Sequence, residues 1–390
     1  MTHPTSRRSM LGLLGAASLA GATLVAVPGA ADAATSRSAA TPKGLRPGGE
    51  YERFVAEQAA QDRFSGTVLV AHRGRPVLAR SYGMANKDRS LPNGPDTVFC
   101  VASITKTFTA LAIAQLAAQG KLGFHDPLGA HLDGFPAEVA NTVKVHQLLT
   151  HDSGIGRPAR GEGSPEEATW NSFDEVMDGT LAIIRKTPLQ FTPGSKHEYS
   201  NDGYFVLAAI VARVTGQSYF DYVRTHIFAP AGMSHTDFYS RPQVLADNTI
   251  SRPYLTQPDG TRIDFASSPF APFTIGGPAG GAYSTASDML AYAGALTSGK
   301  LLNPAFTGLM TSGKVALPPL QPSSQAEFYG YGYDDAIVNG ERVFGHSGGG
   351  PGIATRLDVF PGLDWVSIVL GNYDTPINPI VELGRKLITT

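Results

Sequence analysis

The chain has 390 residues, enough for one large domain or two modest ones, and its 42% hydrophobic and 16% charged residues are typical of a globular protein. Its formal net charge of −2 provides no basic field for a polyanion, and no basic run is interleaved with aromatic residues. Nucleic acid is therefore excluded from the expected partners.

The first residues have the pattern of an export signal. Arg7 and Arg8 precede an apolar stretch from Leu11 to Val27, and the small residues of Ala31-Asp32-Ala33 provide a cleavage site. The arginine pair favours the twin-arginine route. An uncleaved membrane anchor is the alternative, which the short, glycine-broken apolar stretch disfavours. We therefore predict a secreted protein without a stable membrane anchor.

The chain is predicted to comprise a signal peptide at 1–33, a polar linker at 34–48 and one α/β (α+β) domain at 49–390. Within the domain, strand-rich parts at about 49–125 and 286–390 enclose a mainly helical region at about 126–285, which predicts an antiparallel sheet built from both termini and flanked by helices. The individual elements are predicted as helices at 50–64, 107–120 and 379–388 and strands at 66–71, 76–80, 342–344, 353–360 and 365–370.

Two residue types that often carry chemistry are interpreted as structural. Cys100 is the only cysteine, which excludes an intramolecular disulfide, and its apolar neighbours predict a small buried side chain rather than a nucleophile. His146 and His151 have no third metal ligand at a recognisable spacing, and no nucleotide-binding fingerprint is present. We predict no metal and no cofactor.

Ser103 and Lys106 form the first candidate constellation, in the stretch Ser103-Ile104-Thr105-Lys106. Residues three apart on a helix share a face, so the hydroxyl and the amine can meet at the start of the buried helix. A lysine held in a poorly solvated pocket loses proton affinity and can accept the serine proton. The helix N-terminus favours an oxyanion beside Ser103. The alternative is a capping serine with a solvated lysine.

Tyr199 and Asn201 form the second constellation, in a polar segment directly before the apolar helix predicted from Tyr204 to Val214. A tyrosine near Lys106 can relay protons between nucleophile and leaving group, and the Asn201 amide can donate to a substrate carbonyl. A turn in which Asn201 caps the next helix is the alternative.

His346, Ser347, Gly348 and Gly349 form the third constellation, at the end of a predicted strand. The glycines allow a substrate backbone to approach the strand edge, and the N–H of Gly349 can serve as an oxyanion donor. The same stretch matches G-x-S-x-G, the turn that carries the nucleophile of α/β-hydrolases. That alternative requires a helix after Ser347 and a later histidine, whereas the following residues alternate like a strand and no histidine follows.

These three constellations, in this order, resemble the motifs of serine β-lactamases and penicillin-binding proteins, which are S-x-x-K, then S-x-N or Y-x-N, then K-T-G. The Y-x-N form is typical of the branch that contains class C β-lactamases, serine DD-peptidases, esterases and D-amino-acid peptidases. The stretch LLTHDSGIG, Leu148 to Gly156, is also typical of that branch. The resemblance extends from about Glu50 to the C-terminus and implies a β-lactamase/DD-peptidase-like fold.

The resemblance implies a serine hydrolase that forms an acyl-enzyme on a small ester, an amide or a D-amino-acid peptide, which includes cell-wall peptides. The roles that it implies are Ser103 as nucleophile, Lys106 as base or proton shuttle and Tyr199 as second proton-transfer group. Asn201 would orient both the substrate and Lys106. His346, Ser347 and Gly348 would bind substrate, and the N–H groups of Ser103 and Gly349 would form the oxyanion hole.

One departure from the family pattern affects the expected substrate. His346 replaces the lysine of K-T-G, and a largely neutral imidazole offers a substrate carboxylate less fixed charge. Asp334 and Asp335 bring acids rather than bases near the expected cleft. We therefore expect at most weak β-lactam hydrolysis, with DD-carboxypeptidase and esterase activity both open. A non-hydrolytic protein that binds peptidoglycan-like ligands or penicillin is the alternative from a different class.

Overall fold

The computed structural model describes residues 41–156, 170, 172–268, 276–317 and 327–390. The predicted signal peptide lies outside these residues. The predicted linker, 34–48, is described from Thr41 on, where it already packs on the domain: Leu45, in the 3₁₀ turn Lys43–Leu45, is fully buried. The linker prediction was wrong for these residues, because one apolar side chain in a polar stretch produces no periodic pattern.

An eight-stranded antiparallel sheet forms the centre of the domain, in the order β10-β11-β12-β13-β14-β15-β1-β2. The N-terminal hairpin joins the C-terminal strands through the β1–β15 pair, as the sequence predicted. The strands of the described residues are β1 Gly66–His72, β2 Arg75–Tyr82, β3 Met84–Asn86, β4 Leu91–Pro92, β5 Phe99–Cys100, β6 Asp237–Phe238, β7 Tyr254–Thr256, β8 Arg262–Asp264, β9 Ala282–Ser284, β10 Val315–Ala316, β11 Glu327–Tyr329, β12 Asp334–Val338, β13 Glu341–Gly350, β14 Ile353–Phe360 and β15 Trp365–Gly371.

Helices cover both faces of this sheet. The helices of the described residues are α1 Glu50–Ala60, α2 Thr105–Ala118, α3 Ala137–Thr142, α4 Val145–Leu149, α5 Phe173–Lys186, α6 Asn201–Thr215, α7 Tyr219–Val223, α8 Ala229–Ala231, α9 Arg241–Ala246, α10 Ala286–Thr297, α11 Pro304–Thr311 and α12 Asn378–Thr389. None of the described helices is both long and apolar enough to cross a membrane.

Strand β1 is buried along nearly its whole length because each face meets a different core. Val68 and Val70 pack with residues of α1 and α12, whereas Leu69 and Ala71 belong to the large core around α2, α6 and α10. Alternate side chains of a strand point to opposite faces, so a strand covered on both sides is apolar throughout. This strand therefore ties the N-terminal segment to both cores.

The predicted helical region at about 126–285 contains α3 to α9, and it also contains strands that the sequence analysis did not predict. Strand β9 pairs with β5 on one side and β6 on the other in a small three-stranded sheet, and β7 pairs with β8. Each of these strands has only two or three residues. Alternation over so few positions cannot be distinguished from a loop, which is why these strands were missed.

Candidate active site

Ser103 lies in a 3₁₀ turn, Ala102–Ile104, that leads directly into α2. Ala102 has a φ of 45°, in the left-handed region that residues with a Cβ rarely adopt. The Thr105 hydroxyl holds the turn: it donates to the Ala102 carbonyl at 2.7 Å and accepts from the N–H of Ala282 at 3.0 Å. The fold thus fixes an unfavourable backbone conformation beside Ser103, as active sites often do.

Lys106 is completely buried one turn further along, and its Nζ has three close neighbours. The Asn201 Oδ1 lies 2.7 Å away and the Ala279 carbonyl oxygen 2.6 Å away, while the Ser103 Oγ lies at 3.2 Å. The rings of Tyr199 and Tyr204 are centred 4.7 and 5.4 Å from Nζ. The predicted Ser103–Lys106 contact is present, and the solvated-lysine alternative is excluded.

These neighbours favour a neutral Lys106. Burial holds its pKa well below the ordinary value. A neutral amine has two N–H groups and one lone pair. The Asn201 Oδ1 and the Ala279 carbonyl can only accept, so they take the two N–H groups, and the lone pair is left for the Ser103 hydroxyl, which can donate. The geometry therefore suits proton transfer from Ser103 to Lys106.

Tyr199 borders the same two residues. Its side chain interacts with that of Ser103 and lines the cleft, and 46% of the residue is exposed. Desolvation raises the Tyr199 pKa, an effect that the Ser103 contact reduces in part. Tyr199 is consequently protonated at neutral pH and can donate a proton next to Ser103.

Asn201 is the first residue of α6, but it does not cap this helix. The cap is Ser200, whose hydroxyl accepts from the N–H of Gly203 at 3.2 Å. Because the Asn201 Oδ1 accepts from Lys106, its amide N–H groups are the part of the side chain that remains for a substrate. The capping alternative is thus replaced by a role in orienting Lys106.

The His346-Ser347-Gly348 motif lies inside β13, whereas the sequence predicted that the strand would end at Phe344. Strand β12 pairs with β13 only as far as Gly345, so from His346 to Gly350 the described structure pairs β13 with β14 alone. The opposite side of this segment borders the cleft that contains Ser103. A substrate backbone can therefore align along this unpaired side.

The sequence predicted that glycine at position 348 makes room for a substrate backbone, but the structure shows a different steric requirement at this position. A Cβ at this position would lie 2.3 Å from the Val101 carbonyl oxygen and 2.3 Å from the Thr355 Oγ1. The space expected for substrate is occupied by the residues that lead into the Ser103 turn. Gly348 is thus required for the approach of β13 to that turn, and the residues of this stretch that line the cleft are His346, Ser347 and Gly349.

His346 is held by a chain of buried hydrogen bonds that fixes the proton on each ring. The N–H of Ser200 donates to His151 Nδ1 at 3.1 Å, which leaves His151 Nε2–H to donate to the Tyr329 oxygen at 3.1 Å. The Tyr329 hydroxyl then donates to His346 Nε2 at 2.9 Å, and His346 Nδ1–H donates to the Ser347 carbonyl at 2.5 Å. Every member of the chain donates in the same direction.

In this series of hydrogen bonds, both His151 and His346 are neutral. Burial is the main cause that lowers the His346 pKa to about 4 and holds the His151 pKa well below its ordinary value. A neutral His346 cannot replace the positive lysine of K-T-G, and both of its ring nitrogens are already used. Its predicted role in binding substrate directly is thus replaced by a contact with the cleft through the ring surface.

The α/β-hydrolase alternative for Ser347 is excluded by the same geometry. No helix follows Ser347, because β13 continues to Gly350 and β14 begins at Ile353. The adjacent histidine cannot act as its base, since the His346 nitrogens contact Tyr329 and the Ser347 backbone. Ser347 lines the cleft opposite the Ser103 turn.

Sequence reasoning missed several residues of the site. The Ala279 carbonyl and the Tyr329 hydroxyl have no sequence signal, since each acts through a contact with a residue far away in the chain. His151 stood in the stretch LLTHDSGIG but received only a structural interpretation. Cys100 is buried as predicted, with burial raising its pKa to about 11. In the described residues, no cluster of three or more His, Cys, Asp or Glu could hold a metal ion.

A serine and a buried lysine that face a tyrosine and an antiparallel strand define a serine hydrolase of the β-lactamase fold. The chain belongs to the Beta-lactamase family, whose family model matches residues 51–385.

The known proteins that resemble this chain agree with that membership. Penicillin-binding protein 4* of Bacillus subtilis is 28% identical over 76% of the chain and 65% of its own length. A penicillin-binding protein from Bacillus halodurans has a structure with a TM-score of 0.74 and 28% identity, over 85% of this chain and 98% of that one. A D-stereospecific amidohydrolase from a Streptomyces species has a TM-score of 0.70 and 25% identity, over 85% and 97%. The chain spans less than two thirds of its curated relatives' length, with values of 42% and 34% for two others.

Proposed function

We propose that the protein is a hydrolase that acylates Ser103 and then releases the acyl group to water. The observation that carries this proposal is the contact of the Ser103 Oγ with the fully buried Nζ of Lys106, whose pKa is held well below its ordinary value by burial. A neutral amine beside a serine hydroxyl is the arrangement that activates the serine as a nucleophile. A binding protein without turnover has no use for such an amine.

The reaction follows from the positions of these groups. The Ser103 Oγ attacks the substrate carbonyl while its proton passes to Lys106, and the N–H groups of Ser103 and Gly349 receive the developing oxyanion. Tyr199 donates a proton to the leaving group as the acyl bond breaks, and it is reprotonated from Lys106. Water then attacks the acyl-enzyme by the reverse proton transfers, which regenerates Ser103.

The proposed substrates are small esters, amides and D-amino-acid peptides, with β-lactams as poor ones. The neutral His346 supports this choice, because it supplies no cation for the carboxylate of a β-lactam. The similarity to a D-stereospecific amidohydrolase supports amides, and the similarity to penicillin-binding proteins keeps cell-wall peptides among the candidates. We also propose that the protein is exported through the twin-arginine signal at 1–33.

A substrate panel tests the proposal. The mature protein and its Ser103→Ala variant are compared on a p-nitrophenyl ester, a D-amino-acid amide, a D-Ala-D-Ala peptide and nitrocefin. We expect turnover of the ester or the amide that is lost in the variant, with nitrocefin the poorest substrate. If no compound turns over and Ser103 gains no mass from a fluorophosphonate, the proposal fails and the non-hydrolytic binding protein replaces it.

A further inference from the structure

The described residues that line the cleft carry a charge of one sign only, which is negative. Among the described residues that line it, Asp334 alone has a side chain that is charged at neutral pH, because burial lowers the pKa values of His197 and His346. Lys106 is fully buried behind the cleft and is not among the residues that line it. A substrate in contact with Ser103 therefore meets one negative charge and, in this part of the chain, no positive one.

The Asp334 carboxylate affects groups on all sides of the cleft. Burial raises the pKa values of Tyr199 and Tyr329, and the Asp334 charge adds to this effect; at His197 and His346 the same charge opposes the lowering of the pKa values by burial. Arg356, the cation paired with Asp334, has an opposing effect at His346 alone among these four groups. Arg356 does not line the cleft, so the Asp334 carboxylate is the charge of this ion pair that faces a bound substrate.

Asp334 is placed where a substrate would enter the unpaired segment of β13. It is opposite Gly345, the last β13 residue that pairs with β12, and it shares a face of the sheet with Ser347, two positions further on. Arg356 Nη1 donates to one carboxylate oxygen, Oδ2, at 2.7 Å. Arg356 is itself held by the buried Asp358, so the Asp334 carboxylate has a fixed position while its side chain remains 25% exposed.

We propose that Asp334 makes the enzyme selective for substrates that carry a primary ammonium group near the scissile carbonyl, and that it disfavours substrates with a carboxylate there. This inference rests on the proposed acylation of Ser103. A charge-assisted hydrogen bond to a fixed carboxylate is directional, and the bound substrate excludes water from it, so its effect exceeds that of an exposed ion pair. Amino-acid esters and amides with a free amine are the substrate class that fits.

A charge series of p-nitrophenyl esters tests this selectivity. The esters of 3-aminopropanoic acid, butanoic acid and succinic acid have similar length and differ in the charge three bonds from the scissile carbonyl carbon, and spontaneous hydrolysis without enzyme is subtracted. Release of p-nitrophenol reports acylation of Ser103 whether or not the acyl-enzyme is later hydrolysed. The parent enzyme is expected to prefer them in the order cationic, neutral, anionic, and this preference should weaken as NaCl is raised.

Two aspartate variants locate the source of the preference. In Asp334→Asn, the ratio of kcat/KM for the cationic ester to that for the neutral ester should fall about tenfold. Asp335→Asn is the matched control, since Asp335 also pairs with an arginine, Arg342 at 2.7 Å, but belongs to the opposite face of β12 and leaves the ratio unchanged.

The outcomes separate this inference from the proposed function. An unchanged ratio in Asp334→Asn, or a parent enzyme that prefers the anionic ester, overturns the inference while acylation of Ser103 stands. Failure of every ester, of the amide and peptide substrates and of a fluorophosphonate to modify Ser103 overturns the proposed function itself. If Asp334→Asn does not fold, the salt dependence in the parent and a retained preference in Asp334→Glu decide, because Glu keeps the charge.

Discussion

Among single residues, Lys106 is central to the proposed reaction, because only a neutral amine can accept the Ser103 proton. Two acceptor oxygens and complete burial favour that form. A lysine among carboxylates would stay charged, and the described structure shows no ion pair between Lys106 and an acid. The pKa of Lys106 is therefore expected to set the pH range in which Ser103 reacts.

The first prediction concerns the pH profile of acylation. Because a lowered pKa makes Lys106 a base at higher pH and an ammonium at lower pH, kcat/KM should rise as the pH rises through that pKa and then level off. Lys106→Met, which keeps the apolar length of the side chain, should lower kcat/KM by about 10² to 10⁴ and remove this limb of the profile. Lys121→Met, at an exposed position, is the control. A Lys106→Met variant with an unchanged profile would show that another group is the base.

Some residues of the site could be predicted from the sequence and others could not. Ser103 and Lys106 are three positions apart, so helix geometry alone brings them together. His151 and Tyr329 are 178 positions apart, and the hydrogen bond between them depends on the fold as a whole. Local patterns contain no information on such contacts, so the chain of buried hydrogen bonds became visible only in the structure.

Among the elements, the approach of β13 to the Ser103 turn sets the width of the cleft. Gly348 makes this approach possible, since its missing side chain leaves room for the Val101 carbonyl. The strands β1 and β15 were predictable from short apolar runs and β14 from alternation, while α1 was predictable from helical spacing and α2 from an apolar, alanine-rich stretch. The full length of β13 was not, because its glycines interrupt the apolar pattern while its backbone remains extended.

A substitution in β13 tests this interpretation. Gly348→Ala should lower kcat/KM by roughly tenfold or more, because a Cβ 2.3 Å from the Val101 oxygen must push the strand away from the nucleophile. Gly350→Ala is the matched control in the same strand, where the nearest atom to the new Cβ is 3.9 Å away, and it should retain activity. Equal activity of the two variants would contradict a role for the strand spacing.

For the whole molecule, the buried histidines link stability to pH. His346 titrates near pH 4 in the fold and near 6.5 when unfolded, so the unfolded chain binds more protons between these values. Stability should therefore be complete above about pH 6.5 and decrease as the pH falls toward 4, by up to about 1.4 kcal/mol per pH unit for each such histidine. His151 adds to the effect in the same direction.

Urea denaturation at pH 7.5, 6 and 5 measures this dependence. The free energy of unfolding should fall over the series, and less steeply in His346→Gln, which removes one of the titrating histidines. Asp358, whose pKa is about 2, stays charged throughout the series and does not contribute. A free energy of unfolding that is constant from pH 7.5 to 5 would show that the histidines are not buried in neutral form.

The sheet built from both termini was predictable from the sequence, because the apolar strand segments at the two ends of the domain can bury their side chains in one shared sheet. The β1–β15 pair closes this sheet, and α1 and α12, from opposite ends of the chain, cover one face together. The catalytic centre lies on the other side, between β13 and the helices α2 and α6. Three motifs that are distant in sequence meet there, and their common position supports Ser103 over Ser347 as the nucleophile.

The central claim is tested most directly by mass spectrometry of the mature protein after reaction with a fluorophosphonate. One phosphonyl group is expected on Ser103, absent from Ser103→Ala and retained in Ser347→Ala. Labelling that is lost in Ser347→Ala but kept in Ser103→Ala would contradict the assignment of Ser103 and would identify Ser347, in β13, as the nucleophile.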